Sequence, residues 1–97
     1  MREEEFRSFL ERSETITSKV KAVNSRISRA NTAEKILNLS LDFVVADDNR
    51  MYRALNEIRE NPLEQNGKIQ NAVRWYYVFV NGKKFPSLSS YSYLKNI

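Results

Sequence analysis

Along residues 15–37, TITSKVKAVNSRISRANTAEKIL, apolar side chains recur at Ile16, Val20, Val23, Ile27, Ala30, Ala33 and Leu37. Steps of three and four keep these positions on one stripe of an α-helix, and a long amphipathic helix is predicted here. Ser13 or Thr15 can cap its start by accepting a backbone N–H, and Asn38 is a suitable stop. The stripe's opposite side carries Ser18, Lys19, Ser25, Arg26 and Arg29. Three of these are cations, and all five can donate hydrogen bonds.

The remaining elements follow from the same periodicity. Residues 3–12, EEEFRSFLER, predict a short opening helix with Phe6, Phe9 and Leu10 inward and Glu3 to Glu5 favouring its N-terminus. LSLDFVVA, after Asn38, predicts a connecting segment whose Leu39, Leu41 and Val44 plug the core. Phe43 and Val45 fit that pattern less well, and a strand there would have no partner strand. Asp47-Asp48-Asn49 predicts an N-cap for a third helix over 48–60, with Met51, Ala54 or Leu55, and Ile58 inward. Asn61-Pro62 ends it, because the residue before proline is pushed out of helical geometry. A fourth helix is predicted over 65–81, with Ile69, Ala72, Val73, Tyr76 and Val80 inward, and Lys68, Asn71, Arg74 and Trp75 toward the other side. Gly82 suits the position after its last turn, and Lys83 and Lys84 complement the helix dipole. FPSLSSYSYLKNI is compatible with a short helix, a strand or a loose tail. The expectation is an all-α, four-helix single domain over 1–84 with a C-terminal tail over 85–97.

Ninety-seven residues support one core and not two. The net charge is only +4, but it is distributed by segment. In residues 15–38, Lys19, Lys21, Arg26, Arg29 and Lys35 face Glu34 alone, and residues 65–84 carry Lys68, Arg74, Lys83 and Lys84 with no carboxylate. The opening segment and residues 39–64 are net acidic. Two basic helices separated by an acidic one suit a two-faced domain with one basic side, or oppositely charged helices set against each other. The acidic start MREEEF argues against a signal peptide, and no apolar run reaches membrane-spanning length. A cytoplasmic protein without a membrane role is expected.

Catalytic constellations are scarce in this chain. It has no His and no Cys, so the commonest general base, thiolate chemistry and the commonest transition-metal ligands are missing. Two glycines exclude a phosphate-binding glycine loop, and no calcium-loop spacing occurs. Asp47 and Asp48 adjoin on a cap and point apart, which makes them a poor acid–base pair. No enzyme activity, metal or cofactor is expected. The two basic helices are better matched to phosphate, because Thr17, Ser18, Asn24, Ser25 and Ser28, then Gln65, Asn66, Gln70 and Asn71, accompany the cations. Trp75 reads either as an exposed stacking residue or as half-buried against a neighbouring helix.

In their order, FRSFLER, ITSKVKAVNSRISRANTAEKIL, an acid-capped helix and GKIQNAVRWYYVFV resemble the core-binding domain of tyrosine recombinases, the SAM-like N-terminal module of phage integrases. The resemblance covers roughly residues 3–81 and includes the aromatic-rich run Val73-Arg74-Trp75-Tyr76-Tyr77-Val78-Phe79. It implies a four-helix module that clamps one side of double-stranded DNA through two helices, mostly by backbone contacts. Carried over by position, Ser18, Lys19, Ser25, Arg26 and Arg29 would face DNA from the second helix, and Lys68, Asn71 and Arg74 from the last. Two departures stand out. Gly67-Lys68-Ile69 replaces the family's usual threonine-isoleucine opening of the last helix. The recombinase catalytic arginines, histidine and tyrosine have no counterpart. The expectation is therefore a DNA-binding module without chemistry: an excised domain, a small phage or mobile-element protein, or a module fused elsewhere to an activity such as a nuclease. The alternative is a protein–protein adaptor or inhibitor of the same fold, favoured by the modest charge, the acidic third helix and Tyr91, Tyr93 and Leu94. Through that tail it would bind a protein partner or form a homodimer.

Overall fold

A computed structural model describes residues 1–13 and 19–95, without the side chains of Lys19 and Lys95. Six helices and no strand occur among the described residues: α1 Glu3–Glu11, α2 Lys19–Leu37, α3 Leu41–Val45, α4 Asp48–Arg59, α5 Lys68–Asn81 and α6 Leu88–Lys95. The four expected helices correspond to α1, α2, α4 and α5. The short α3 and α6 are additions to that expectation.

The fold is centred on α2 and α5, which share its most extensive contact. Val23, Ile27, Ala30, Ala33 and Leu37 are all buried, so the predicted stripe is the core face of α2 over most of its length. Ala30 and Ala33 are fully buried and small, which lets the facing helix backbone come close. Val20 is a correction: it is 79% exposed. Its turn lies beside the end of α1, where Arg7, Glu11 and Asn24 border a shallow hollow that no helix covers among the described residues. Ile16 and the predicted Thr15 cap lie outside the described residues. Along this flank of α2, Arg7 Nη1 donates to Asn24 Oδ1 (2.7 Å) and, further on, Asn31 Nδ2 donates to Glu3 Oε1 (3.2 Å), so α1 runs antiparallel to α2.

The apolar run after Asn38 resolves as one helical turn. Asn38 adopts a positive φ of 54° and ends α2. Ser40 then caps α3 by accepting from Asp42 N, and Glu34 Oε2 accepts from Leu41 N (2.9 Å). With the helix starting at Leu41, positions 41, 44 and 45 share one face, and Leu41, Val44 and Val45 are buried. Leu39 precedes the turn and is 43% exposed, against the expectation that it plugs the core. Phe43 is on the outer side, with the Arg50 guanidinium 3.8 Å above its ring and Arg50 Nη1 donating to its carbonyl.

Asp47 caps α4 as expected, accepting from Asn49 N (2.9 Å) and Arg50 N (3.0 Å). Those bonds, that from Arg50 above all, hold its carboxyl below the usual range despite some desolvation. Helix α5 begins at Lys68 rather than Gln65. Asn66 and Gly67 both take positive φ, and the Glu64 carboxylate reaches forward to accept from Ile69 N (2.9 Å) and Gln70 N (2.8 Å). A carboxylate therefore already fills the anion-favouring N-terminus of α5. Gly82 ends the helix in the left-handed region, donating its N–H to Val78 O (2.8 Å).

Tyr76 and Tyr77 are buried aromatic bodies whose hydroxyls exit toward the acidic segment. The Tyr76 ring meets Phe6 edge-on, and its hydroxyl donates to Asp42 Oδ1 (2.5 Å) while accepting from Arg2 N (2.9 Å). Asp42 also receives Arg2 Nε at 3.2 Å and the N-terminal ammonium at 3.6 Å. Desolvation pushes the Asp42 carboxyl up, but the hydrogen bonds from Tyr76 and Arg2 and the nearby charges prevail and hold it below the usual range. Tyr77 donates to Asp48 Oδ1 (2.8 Å), and Asn81 Nδ2 donates to Val45 O (3.1 Å). Burial is the main reason both phenols are pushed up to about 12.

The tail is seated on the helices. Phe85 is in the core against Tyr77, and the Tyr91 ring sits 5.1 Å from both Phe85 and Tyr52. Ser87 starts α6 by accepting from Ser90 N, and Tyr91 donates to Asn49 Oδ1 (2.8 Å).

Candidate nucleic-acid interface

The two basic helices run antiparallel and side by side. Arg29 and Lys68 border the same hollow, together with Thr32, Leu63 and Gln65. Three residues earlier on α2, the Arg26 guanidinium sits 5.7 Å from the ring centre of Trp75, which is seven residues later on α5. One turn of α5 presents Asn71, Arg74 and Trp75 to a second hollow, closed on its far side by Lys84 and Phe85. Basic groups from two helices and the 82–86 loop therefore share one side of the molecule.

The expected site residues differ in their surroundings. Lys68 and Asn71 are exposed, and Arg29 is half-buried with its head at the Lys68 hollow. Ser25 is half-buried on α2. Arg26 does more than face solvent: Nη1 donates to Ala22 O (3.4 Å), and its buried Nε finds no acceptor. Desolvation, then repulsion from Arg29, lowers the Arg26 pKa, yet an arginine starts so high that it stays charged. Arg74 has a structural task, since its Nη1 donates to Phe85 O (2.9 Å) and Pro86 O (3.0 Å) and so fastens the tail to α5. Burial lowers its pKa too. Ser18 lies outside the described residues, as does the side chain of Lys19.

Among the described residues, none of Arg26, Arg29, Lys68, Arg74 and Lys84 forms an ion pair, while Asp42, Glu34 and Glu5 are all paired at the N-terminal corner. An unneutralised cation row favours an anionic partner. Sequence reasoning treated Lys84 only as a complement to the helix dipole. It missed Lys84's place beside Trp75 because that depends on the turn after Gly82 folding back. Trp75 is half-buried, with Phe9 at its edge.

No group of three or more potential metal-ligating side chains occurs among the described residues, and no helix there is long and apolar enough to cross a membrane. The chain matches no protein-family model, no curated protein and no solved structure.

Proposed function

We propose that this chain is a non-catalytic module that binds double-stranded DNA through the α2–α5 face, in the manner of a SAM-like integrase core-binding domain. The observation that carries the reading is the meeting of Arg26, Arg29, Lys68 and Arg74 from two antiparallel helices on one side, none of them in an ion pair among the described residues. Phosphates are the partners that such a row takes, with Asn71 and Ser25 supplying hydrogen bonds that set register. The N-terminus of α5 takes no phosphate in this arrangement, since Glu64 already occupies it. Sequence readout is not part of the proposal.

The test is duplex binding by fluorescence anisotropy for the parent and an Arg29→Glu/Lys68→Glu chain. These two positions are preferable to Arg26, whose replacement would disturb Trp75. Micromolar or tighter binding at low salt, lost in a reversal variant that retains its helical circular dichroism, supports the reading. Equal binding by both chains rejects this face.

The second reading, a protein partner or homodimer, is favoured by Tyr93 and Leu94, which are 70% and 60% exposed at the end of α6. Tyr91 is not available to it in the docked tail, being stacked between Phe85 and Tyr52. Sedimentation of the parent beside a Tyr93→Ser/Leu94→Ser chain distinguishes a homodimer from a monomer.

A further inference from the structure

The hollow beside Trp75 has a composition that duplex phosphates alone do not explain. It is open to solvent, holds about 290 Å³ and is lined by the apolar Trp75, Val78 and Phe85 together with Asn71, Arg74 and Lys84. That volume is at the low end of small-ligand sites, roughly 300 Å³ and upward. It is sufficient for one flat ring. The wall is apolar and aromatic, and the rim is cationic with one amide. No carboxylate among the described residues lines it.

A nucleotide has the matching halves, a π-faced base and an anionic phosphate. Arg74 is held in place by the Phe85 and Pro86 carbonyls through Nη1, so its remaining donors sit at the rim on a fixed guanidinium. Lys84 is exposed on the facing loop. Asn71, which lines this hollow, is one turn along α5 from Lys68, which lines the Arg29 hollow, so both hollows open beside the same stretch of α5.

We propose that this hollow takes a single unpaired nucleobase, with its phosphate held by Lys84 and Arg74, so that the module favours sites where duplex passes into single strand. The inference rests on the DNA reading above and extends it to a class of DNA structure. Stacking supplies the preference: an aromatic side chain takes any base, because every base has a π-face. The site is therefore tolerant of sequence.

Trp75 is the sole tryptophan, which makes its fluorescence a direct probe. The parent is titrated with a blunt duplex, the same duplex carrying a three-nucleotide overhang, and a free deoxynucleoside monophosphate. The expected result is quenching by the overhang DNA and binding roughly five- to a hundredfold tighter than blunt DNA, the range of one base–aromatic stack. Trp75→Leu and, independently, Lys84→Ser should each shrink the overhang-to-blunt ratio toward one. Lys84→Ser alters an exposed loop residue and keeps the test valid should the Trp75 variant fold poorly. Equal affinity for blunt and overhang DNA without quenching overturns the proposal and leaves the duplex reading standing. Quenching by the free nucleotide with no overhang gain also overturns it, making the hollow a small-molecule site. Absence of binding to either DNA overturns both readings.

Discussion

Tyr76→Phe isolates the polar joint between α5 and α3. The substitution keeps the ring that meets Phe6 at 4.9 Å and Phe79 at 5.4 Å, so no cavity opens. It removes one hydroxyl that donates to Asp42 at 2.5 Å and accepts from Arg2 N at 2.9 Å. A hydrogen bond to a charged group contributes about 1.5–3 kcal/mol, and Asp42 keeps Arg2 as a partner and some contact with water, so screening places this one at the lower end. The expected loss at pH 7 is roughly 1.5–2 kcal/mol, or about 6–16 °C in Tm for a domain of this size. Urea unfolding followed by circular dichroism reads it as a lower midpoint with an unchanged slope. The pH dependence follows from the depressed Asp42 pKa. A carboxyl held lower in the folded chain stabilises fully above the ordinary carboxylate range. That contribution disappears as pH falls through the lowered folded value. The gap between parent and Tyr76→Phe should therefore be full at pH 7 and narrow in acid. A variant as stable as the parent at pH 7 would refute the joint's role.

Tyr76 and Tyr77, raised to about 12, keep their protons more tightly when folded, so their contribution is complete below about 10, the ordinary phenol value, and lost as pH rises through the folded pKa. Ultraviolet titration of the 5 tyrosines should show late-ionising phenols whose titration accompanies loss of helical dichroism, and a single transition near 10 would contradict this. At the α2–α5 contact, Ala30→Leu should cost about 1–3 kcal/mol by overfilling a fully buried site. Val20→Ser on the same sequence stripe should stay within about 0.5 kcal/mol, because Val20 is a surface residue.

How far the sequence reaches can be judged residue by residue. Caps announce themselves locally: Asp47, Asn38 and Gly82 act where their chemistry predicts. The buried stripe of α2 follows from its spacing alone. Val20 shows the limit of that argument, since periodicity reports a face and says nothing of whether a neighbour covers it. The run 39–46 looked like a plug because alternation and helical spacing compete in so short a segment. Ser40 and Glu34 decide the matter by satisfying the first N–H groups of α3. Glu64 was illegible as the cap of α5, because it lies four residues before the helix and reaches it only across the Asn66-Gly67 turn. At the site, the cations of α2 and α5 were legible as types, and their antiparallel meeting was not. Arg74 had two roles open to it, and the fold gives it the Phe85 and Pro86 carbonyls as partners. Lys84 enters only because Phe85, after the loop, is anchored in the core.

The most direct measurement of the central claim is the salt dependence of duplex binding. Each phosphate neutralised contributes about −0.9 to the slope of log Kobs against log salt. With Arg26, Arg29, Lys68 and Arg74 engaged, the slope should lie near −3 to −4, and Arg29→Glu/Lys68→Glu should flatten it by about two. A slope near zero, or one unchanged by the double reversal, would contradict a DNA-binding face on α2 and α5.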